Sequence, residues 1–395
     1  MELAKGVNDK GPRESIAKQK VVNKIKTFLE LYGYNPLQTP IIERESTLTN
    51  KFAGGEEILK EIYTLKDQGN RSLALRYDLT VPLARYIRLN KDIKLPFKRY
   101  QIGQVFRDGP IKPGRYREFT QFDADIVGSK DVFSDAELLK LAQEVFKSLN
   151  LDIVIKYNSR EILNEILQKS QIKDKNSFIL TLDKIEKIGE KGVRKELLEK
   201  GFDDEKISVA LNLIQTDQIK PPKELQKYLD LLGVNADFTP TLARGLNYYT
   251  GTIFEVFLKN SAITSSIAAG GRYDNMIGDM AQGDYPAVGI SFGVDTIVEA
   301  IGLGEVTSTK LLIIPIGEKE GSIKILSELR AKGVSCDLNL KNNVKKGLSF
   351  ADSYNIPYVL LVGEEEMQTK KYTLRDMQSG KEQKLSLKDV IKKLC

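Results

Sequence analysis

The chain contains no histidine, no tryptophan and only two cysteines, Cys336 and Cys395. Without histidine, two thiols cannot complete a zinc site, and they cannot form a disulfide framework. A catalytic metal would have to be held by carboxylates and substrate phosphates, which favours magnesium. No apolar run approaches the roughly 18 residues of a membrane span, and Met1–Lys10 is polar rather than a signal peptide. We therefore expect a cytoplasmic protein that does not enter the membrane.

Positive charge is concentrated near the C-terminus. The net charge of the 395-residue chain is +6, and residues 310–395 hold 16 basic and 11 acidic side chains. A basic terminal module suits a polyanionic partner such as RNA. A solvated lysine-rich surface explains the same pattern equally well. The length suggests two or three domains.

Periodicity predicts an α+β chain whose first part contains long strands. We expect a helix over residues 12–34, and strands over 97–106 and 118–127, where apolar and polar residues alternate. A further helix should begin at Ser134, with Glu137 completing a capping box.

Composition then divides the chain. Residues after Ser159 are charged and helical, strand character returns near Phe238, and strands alternate with helices from Lys310. The expected divisions are a β-rich domain in two parts (1–158 and 237–303), a helical insertion (159–236), a linker (304–309) and an α/β domain (310–395).

Three peptides carry the features of a ligand site. Residues 106–121 form a strand, a cationic Gly/Pro loop and a second strand, which can present a guanidinium to phosphate. In LARGLNYYTG (242–251) and AGGRYD (269–274), glycines beside arginines and aromatics suggest backbone close to a ligand. Each peptide alone has an ordinary alternative, namely a surface loop, a bulge or a tight turn.

Taken together, these peptides resemble those of the histidyl-tRNA synthetases, and their sequences are most similar to the archaeal-type branch of that family. Residues 106–121 resemble motif 2 of class II synthetases, 31–40 resemble motif 1, and RGLNYYTG and GGRYD resemble the family's signature peptides. The resemblance implies a class II antiparallel-sheet catalytic domain with a helical insertion, followed by a C-terminal α/β anticodon-binding domain. It also implies a homodimer that uses L-histidine, histidine tRNA and ATP, with Mg²⁺ held mainly by ATP phosphates and no zinc.

The resemblance assigns roles to individual side chains. Arg107 and Arg244 would be the catalytic cations at the α-phosphate. Arg107 and Arg115 would bind ATP. The expected histidine-binding residues are Asp78, Thr80, Gln121, Asp125, Arg244, Tyr248, Tyr249 and Tyr273.

The chain departs from the family pattern in two motifs. Thr296 stands where motif 3 usually has an arginine that holds ATP, and Gly109 stands where motif 2 usually has a glutamate. Arg272 or Arg117 is a candidate to replace the missing motif 3 cation.

Rival functions remain open on the sequence alone. A non-catalytic regulatory subunit of histidine biosynthesis would lack the anticodon domain, and a sensor of uncharged tRNA would not need the arginines. A glycyl or prolyl enzyme would leave the two signature peptides unexplained. The missing histidine fits compositional drift, or selection for translation when charged histidine tRNA is scarce.

Overall fold

The computed structural model divides the chain into two units, each with its own hydrophobic core. The first unit comprises residues 1–8 and 20–301, and the second comprises 9–19 and 302–395. The structure describes residues 1–50, 56–111, 116–215, 219–245, 248–304, 307–341 and 343–394.

Helices and short strands surround a long sheet up to residue 301. In chain order the elements are α1 (Pro12–Leu31), β1 (Asn35–Pro36), β2 (Ile42–Arg44), α2 (Glu45–Leu48), α3 (Glu56–Leu59), β3 (Thr64–Lys66), β4 (Ser72–Leu75), α4 (Thr80–Leu89), β5 (Phe97–Phe106), β6 (Glu118–Val127), α5 (Phe133–Ser148), β7 (Ile153–Ser159), α6 (Arg160–Lys169), α7 (Lys175–Leu182), α8 (Ile185–Glu199), α9 (Asp204–Gln215), α10 (Lys223–Leu232), β8 (Asp237–Phe238), β9 (Thr252–Leu258), β10 (Ala268–Arg272), α11 (Met276–Ala281), β11 (Ala287–Gly293) and α12 (Val294–Ile301).

The main sheet of the first unit is largely antiparallel. Its strand order among the described residues is β1-β5-β6-β11-β10-β9-β7-β8, with parallel pairs only at the two ends. Strands β5 and β6 pair along their full lengths, from Phe97 opposite Val127 to Phe106 opposite Glu118. The predicted bounds of both strands are confirmed, and so is the α+β fold class with an antiparallel catalytic sheet.

The helices of the first unit contribute to two cores. Helices α1 and α5 bury Ile25 and Leu139 with one face of the sheet. Helices α6 to α9 bury Leu163 and Leu197 in the other core. Helix α10 lies within the range expected for the insertion, yet its Leu229 belongs to the core of α1 and α5.

The predicted capping box at the start of α5 is wrong. The helix begins at Phe133, and its N-cap, Val132, makes no side-chain cap hydrogen bond. Instead, Asp131 Oδ1 accepts from the Phe133 N–H at 2.8 Å. Glu137 binds Lys98 Nζ at 2.5 Å. A tertiary ion pair therefore takes the carboxylate that local spacing assigned to the helix end.

The second unit is an α/β domain, as expected. Its elements are β12 (Leu311–Pro315), α13 (Lys319–Ala331), β13 (Cys336–Leu338), α14 (Val344–Ser353), β14 (Tyr358–Val362), α15 (Glu364–Thr369), β15 (Lys371–Asp376), β16 (Glu382–Ser386) and α16 (Leu387–Leu394). The strand order of its sheet is β13-β12-β14-β15-β16. Strands β13, β12 and β14 pair in parallel, and β14, β15 and β16 pair antiparallel. None of the described helices combines the length and apolar composition that crossing a bilayer requires.

A buried ion pair joins the last residue of β10 to the start of α5. Arg272 Nε lies 3.1 Å from Asp135 Oδ2, and Asp135 is fully buried. Arg272 Nη1 also donates to the Ser129 carbonyl at 2.9 Å and to Asp274 Oδ1 at 3.1 Å. Burial raises the pKa of Asp135 above its ordinary value, although the hydrogen bond and charge of Arg272 oppose this rise. The carboxylate tolerates burial because the guanidinium compensates its charge.

We expect Asp135→Ala to lower the free energy of unfolding by about 3–5 kcal/mol, because it leaves the Arg272 charge buried without its main partner. Urea unfolding followed by circular dichroism measures the loss. Asp152→Ala is the matched control, since Asp152 pairs with Lys259 at 3.4 Å but is largely exposed. Equal effects of the two substitutions would contradict a structural role for the buried pair.

Candidate active site

A cavity of about 710 Å³ lies against the main sheet of the first unit. It brings together residues of β6, β10 and β11, the residue that follows β5, the starts of α4, α8 and α12, and the segment before β9. Arg115 lies outside the described residues. The other residues predicted for the site all line this cavity: Asp78, Thr80, Arg107, Gln121, Asp125, Arg244, Tyr248, Tyr249 and Tyr273.

Strand β6 supplies the floor of the cavity through simple alternation. Gln121, Asp123 and Asp125 line the cavity, whereas Phe122 and Ala124 are buried in the core of α1 and α5. Successive side chains of a strand point to opposite faces. One strand therefore serves both the apolar core and a row of polar groups facing the cavity.

The two predicted catalytic arginines converge on the same cavity from separate peptides. Arg107 Nε donates to the Tyr77 carbonyl at 3.0 Å, and its guanidinium lies 5.2 Å from the Phe119 ring centroid. Arg244 Nη1 lies 3.2 Å from Glu255 Oε1 but makes no hydrogen bond to a described residue. Both guanidinium groups are thus oriented by protein contacts beside the space where an anion can bind.

Asp125 belongs to a buried charged network. Its Oδ2 lies 2.7 Å from Arg99 Nη2, and its Oδ1 accepts a hydrogen bond from the Tyr273 hydroxyl. Arg99 is fully buried and also donates to the Leu79 carbonyl at 3.1 Å. These contacts hold the Asp125 carboxylate in place beside the cavity.

Sequence reasoning missed Arg99 and Asp123. The signal was present in the hairpin register, because Arg99 lies directly opposite Asp125 and Gln101 opposite Asp123. Counting pairs from the loop between β5 and β6 would have shown opposite charges facing each other. Asp123 is buried, lines the cavity, and its Oδ1 makes no hydrogen bond to a described residue.

Burial shifts the acidity of the cavity carboxylates. It raises the pKa of Asp123 to about 7, with the charge of Asp125 adding to the rise and that of Arg99 opposing it. Burial likewise raises the pKa of Asp78 to about 6, against the hydrogen bond from the Val81 N–H and the charge of Arg107. Desolvation disfavours the ionised carboxyl, so a cationic ligand bound here would stabilise the ionised form and lower both pKa values.

Tyrosines and glycines shape the cavity around these carboxylates. The Tyr248 ring lies 4.7 Å from that of Tyr249 and 5.8 Å from that of Tyr273, measured between centroids. A side chain at Gly289 would place its Cβ 2.0 Å from Asp125 Oδ1. Glycine is required there because β11 passes directly beside the carboxylate.

The two arginines suggested as replacements for the motif 3 cation do not reach the cavity. Arg272 is committed to Asp135, and Arg117 Nη2 pairs with Asp108 at 2.8 Å. Thr296 lines the cavity, and so does Lys187 of α8, a cation that the sequence did not single out.

A carboxylate from elsewhere in the chain occupies the space at Gly109. A Cβ built on Gly109 would lie 2.6 Å from Glu61 Oε1. A side chain at position 109 would therefore require the end of the Glu61 side chain to move. Glu61 thus brings a carboxylate close to the position where motif 2 usually has a glutamate.

Comparisons with known proteins agree with the geometry. The family described as histidyl-tRNA synthetase matches residues 6–297, and the anticodon binding domain family matches 310–395. Histidine–tRNA ligase 1 of Bacillus cereus is 46% identical over 422 residues, covering 98% of this chain and 97% of the relative. Histidine–tRNA ligase of Clostridium tetani is 38% identical, covering 96% and 95%. The crystal structure of histidyl-tRNA synthetase from Nostoc sp. PCC 7120 is similar with a TM-score of 0.87 at 28% identity, covering 100% and 98%.

The raised pKa of Asp123 makes a prediction about stability. Its pKa is about 7 in the folded chain against an ordinary 3.8, so the folded state binds the proton more tightly. The stabilisation that protonated Asp123 gives the folded state is complete at pH values below the pKa of this carboxyl in the unfolded chain. It is lost as pH rises towards the pKa of the carboxyl in the folded chain.

We therefore expect the free energy of unfolding of Asp123→Asn, relative to that of the unmodified protein, to be larger at about pH 8 than at about pH 5. Urea unfolding at both pH values measures the change, and Asp152→Asn serves as the exposed control. A stability difference that does not vary with pH would show that Asp123 does not titrate in this range.

Proposed function

The chain belongs to the histidyl-tRNA synthetase family and is a ligase that forms aminoacyl-tRNA, and we propose how the residues of its cavity divide this reaction. The observation that carries the proposal is the convergence of Arg107 and Arg244, from distant peptides, on one cavity. Beside them lies the Asp125 carboxylate, held by Arg99 and Tyr273.

The first step joins histidine to the nucleotide. A carboxylate oxygen of histidine attacks the α-phosphorus of ATP, a new P–O bond forms, and the bond to pyrophosphate breaks. The nucleophile is already an anion, so orientation and the charge at phosphorus limit the rate. Arg107 contacts the α-phosphate and the carboxylate, and Arg244 approaches the same centre from the amino-acid side. Fixed cations at this position stabilise the developing charge.

Recognition of histidine relies on the polar side chains of the sheet. Asp125 accepts from an imidazole N–H, while Tyr249 and Tyr273 complete the pocket around the ring and Tyr248 packs against both. A site built to bind both ring nitrogens rejects analogues that lack them, because its own polar groups would be left unpaired.

The α-ammonium of histidine binds at the opposite end of the amino-acid pocket. Asp78, Thr80 and Gln121 receive it, and Gln121 Oε1 is buried without a hydrogen-bond partner among the described residues. We add Asp123, whose carboxylate lies on the same strand face. An ammonium group supplies the donors that these oxygens lack.

ATP binds through Arg107 and, on the resemblance of the motif 2 loop, through Arg115. Magnesium would accompany the nucleotide and be held mainly by its phosphates, because the described residues contain no group of three or more histidine, cysteine or acidic side chains that could hold a metal ion. The metal would neutralise phosphate charge. We expect no zinc.

The second unit binds the anticodon of histidine tRNA. Phe350 of α14 and Tyr354 at its C-cap are exposed, with ring centroids 4.6 Å apart, and Lys345 and Lys346 lie on the same helix. Splayed bases stack on such aromatic groups while lysines contact phosphates.

We also propose that residues 31–40 form the contact between the two subunits of a homodimer. The domain boundaries after residues 158, 236, 303 and 309 are likewise part of the proposal.

Exchange of pyrophosphate into ATP tests the activity directly. Among the twenty amino acids, we expect only histidine to support rapid exchange. Arg107→Ala and Arg244→Ala should each slow the histidine-dependent rate by about a hundredfold or more, since each removes a cation at the reacting phosphorus. Arg194→Ala is the control, because Arg194 pairs with Asp204 outside the cavity. Near-normal exchange in either cavity variant would remove that arginine from the catalytic role.

A further inference from the structure

The helical insertion contributes one cation to the cavity. Lys187, in the first turn of α8, lines the cavity together with Arg107 and Arg244. Its ammonium makes no hydrogen bond or ion pair with the described residues, whereas its charged neighbours are committed. Lys184 Nζ binds Glu196 at 2.7 Å, and Glu186 Oε1 binds Lys156 at 2.5 Å. Of these three side chains, only Lys187 makes no hydrogen bond or ion pair with a described residue.

The surrounding structure holds the turn of Lys187 beside the Arg244 peptide. A Cβ on Gly245 would lie 3.2 Å from Asp183 Oδ2, so α7 ends against this peptide. Buried Arg160 also donates to the Arg244 carbonyl at 3.5 Å. Lys187 thus belongs to a turn anchored next to a catalytic arginine.

A break in α8 separates this turn from the rest of the helix. Gly189 has φ +67° and interrupts the helical backbone two residues after Lys187. Such a backbone conformation strains residues with a Cβ. The first turn can therefore follow the cavity wall, while residues beyond Gly189 pack in the insertion core through Val193 and Leu197.

Phosphate is the ligand chemistry that this lysine fits. The cavity must accept the triphosphate of ATP and then the 3′ end of a tRNA, both polyanionic. Thr296 stands where the family usually has a cation. An ammonium on a flexible stem binds phosphate as a point charge, and Ser265 and Ser266 bring hydroxyl donors to the same cavity.

We propose that Lys187 binds a substrate phosphate in the cavity and supplies positive charge that Thr296 cannot supply. The inference rests on the proposed function of the cavity. It names two sources of the same chemistry, the outer phosphates of ATP and the phosphates at the 3′ end of tRNA. The alternative is that Lys187 binds no phosphate and is a solvated lysine whose charge is offset by nearby Asp183.

Two kinetic measurements on Lys187→Ala separate the sources. Pyrophosphate exchange without tRNA reports the ATP source, and we expect the KM for ATP to rise roughly tenfold or more while the KM for histidine stays constant. Transfer of histidine from preformed adenylate to tRNA reports the other source, through a similar rise in the tRNA concentration needed for half-maximal rate. A rise in either measurement supports the proposal and identifies the phosphate.

Matched variants distinguish ligand binding from a structural effect. Lys187→Arg keeps the charge and should retain most of the lost function. Lys191→Ala removes an exposed lysine of the same helix that does not line the cavity, and should change neither measurement. Unchanged values in both measurements for Lys187→Ala would overturn the proposal, as would equal losses in the Lys191 variant. Failure of the proposed function would appear separately, as absent histidine-dependent exchange in the unmodified protein.

Discussion

The ion pair between Arg99 and Asp125 is the interaction on which the proposed active site depends. It joins adjacent strands β5 and β6 within the sheet, where both side chains are buried. Removing one partner would leave an uncompensated charge, so the two strands and the carboxylate are positioned together. Tyr273 then ties β10 to the same carboxylate. The residue proposed to read the imidazole is thus held by three strands rather than by a mobile loop.

This arrangement also sets the electrostatics of the cavity. Asp78, Asp123 and Asp125 all approach the buried guanidinium of Arg99, and burial raises the pKa of each carboxyl. A cationic ligand bound beside these carboxyls would stabilise their ionised form. Arg107, Arg244 and Lys187 bring positive charge to the same cavity, which favours phosphates. A substrate with an ammonium group and an acyl phosphate matches both signs of charge.

Particular elements show where sequence reasoning succeeded and failed. The bounds of β5 and β6 followed from partial alternation together with their aromatic and β-branched residues. The cap of α5 was assigned to Ser134 and Glu137, but Lys98 from a neighbouring strand binds Glu137. Arg272 was a candidate to replace the missing motif 3 cation, yet its side chain forms an ion pair with Asp135. The spacing of residues along the chain cannot show which distant charged group will form an ion pair with a given side chain.

The sequence by itself determined the family, the α+β architecture and nine of the residues that line the cavity, because the motifs that contain them are contiguous in the chain. Only the tertiary structure decided that Arg272 pairs with Asp135, that Glu61 occupies the space at Gly109, and that Lys187 of the insertion reaches the cavity. Those contacts join segments far apart in the chain. Their formation depends on how buried charges find partners in three dimensions, which no local pattern encodes.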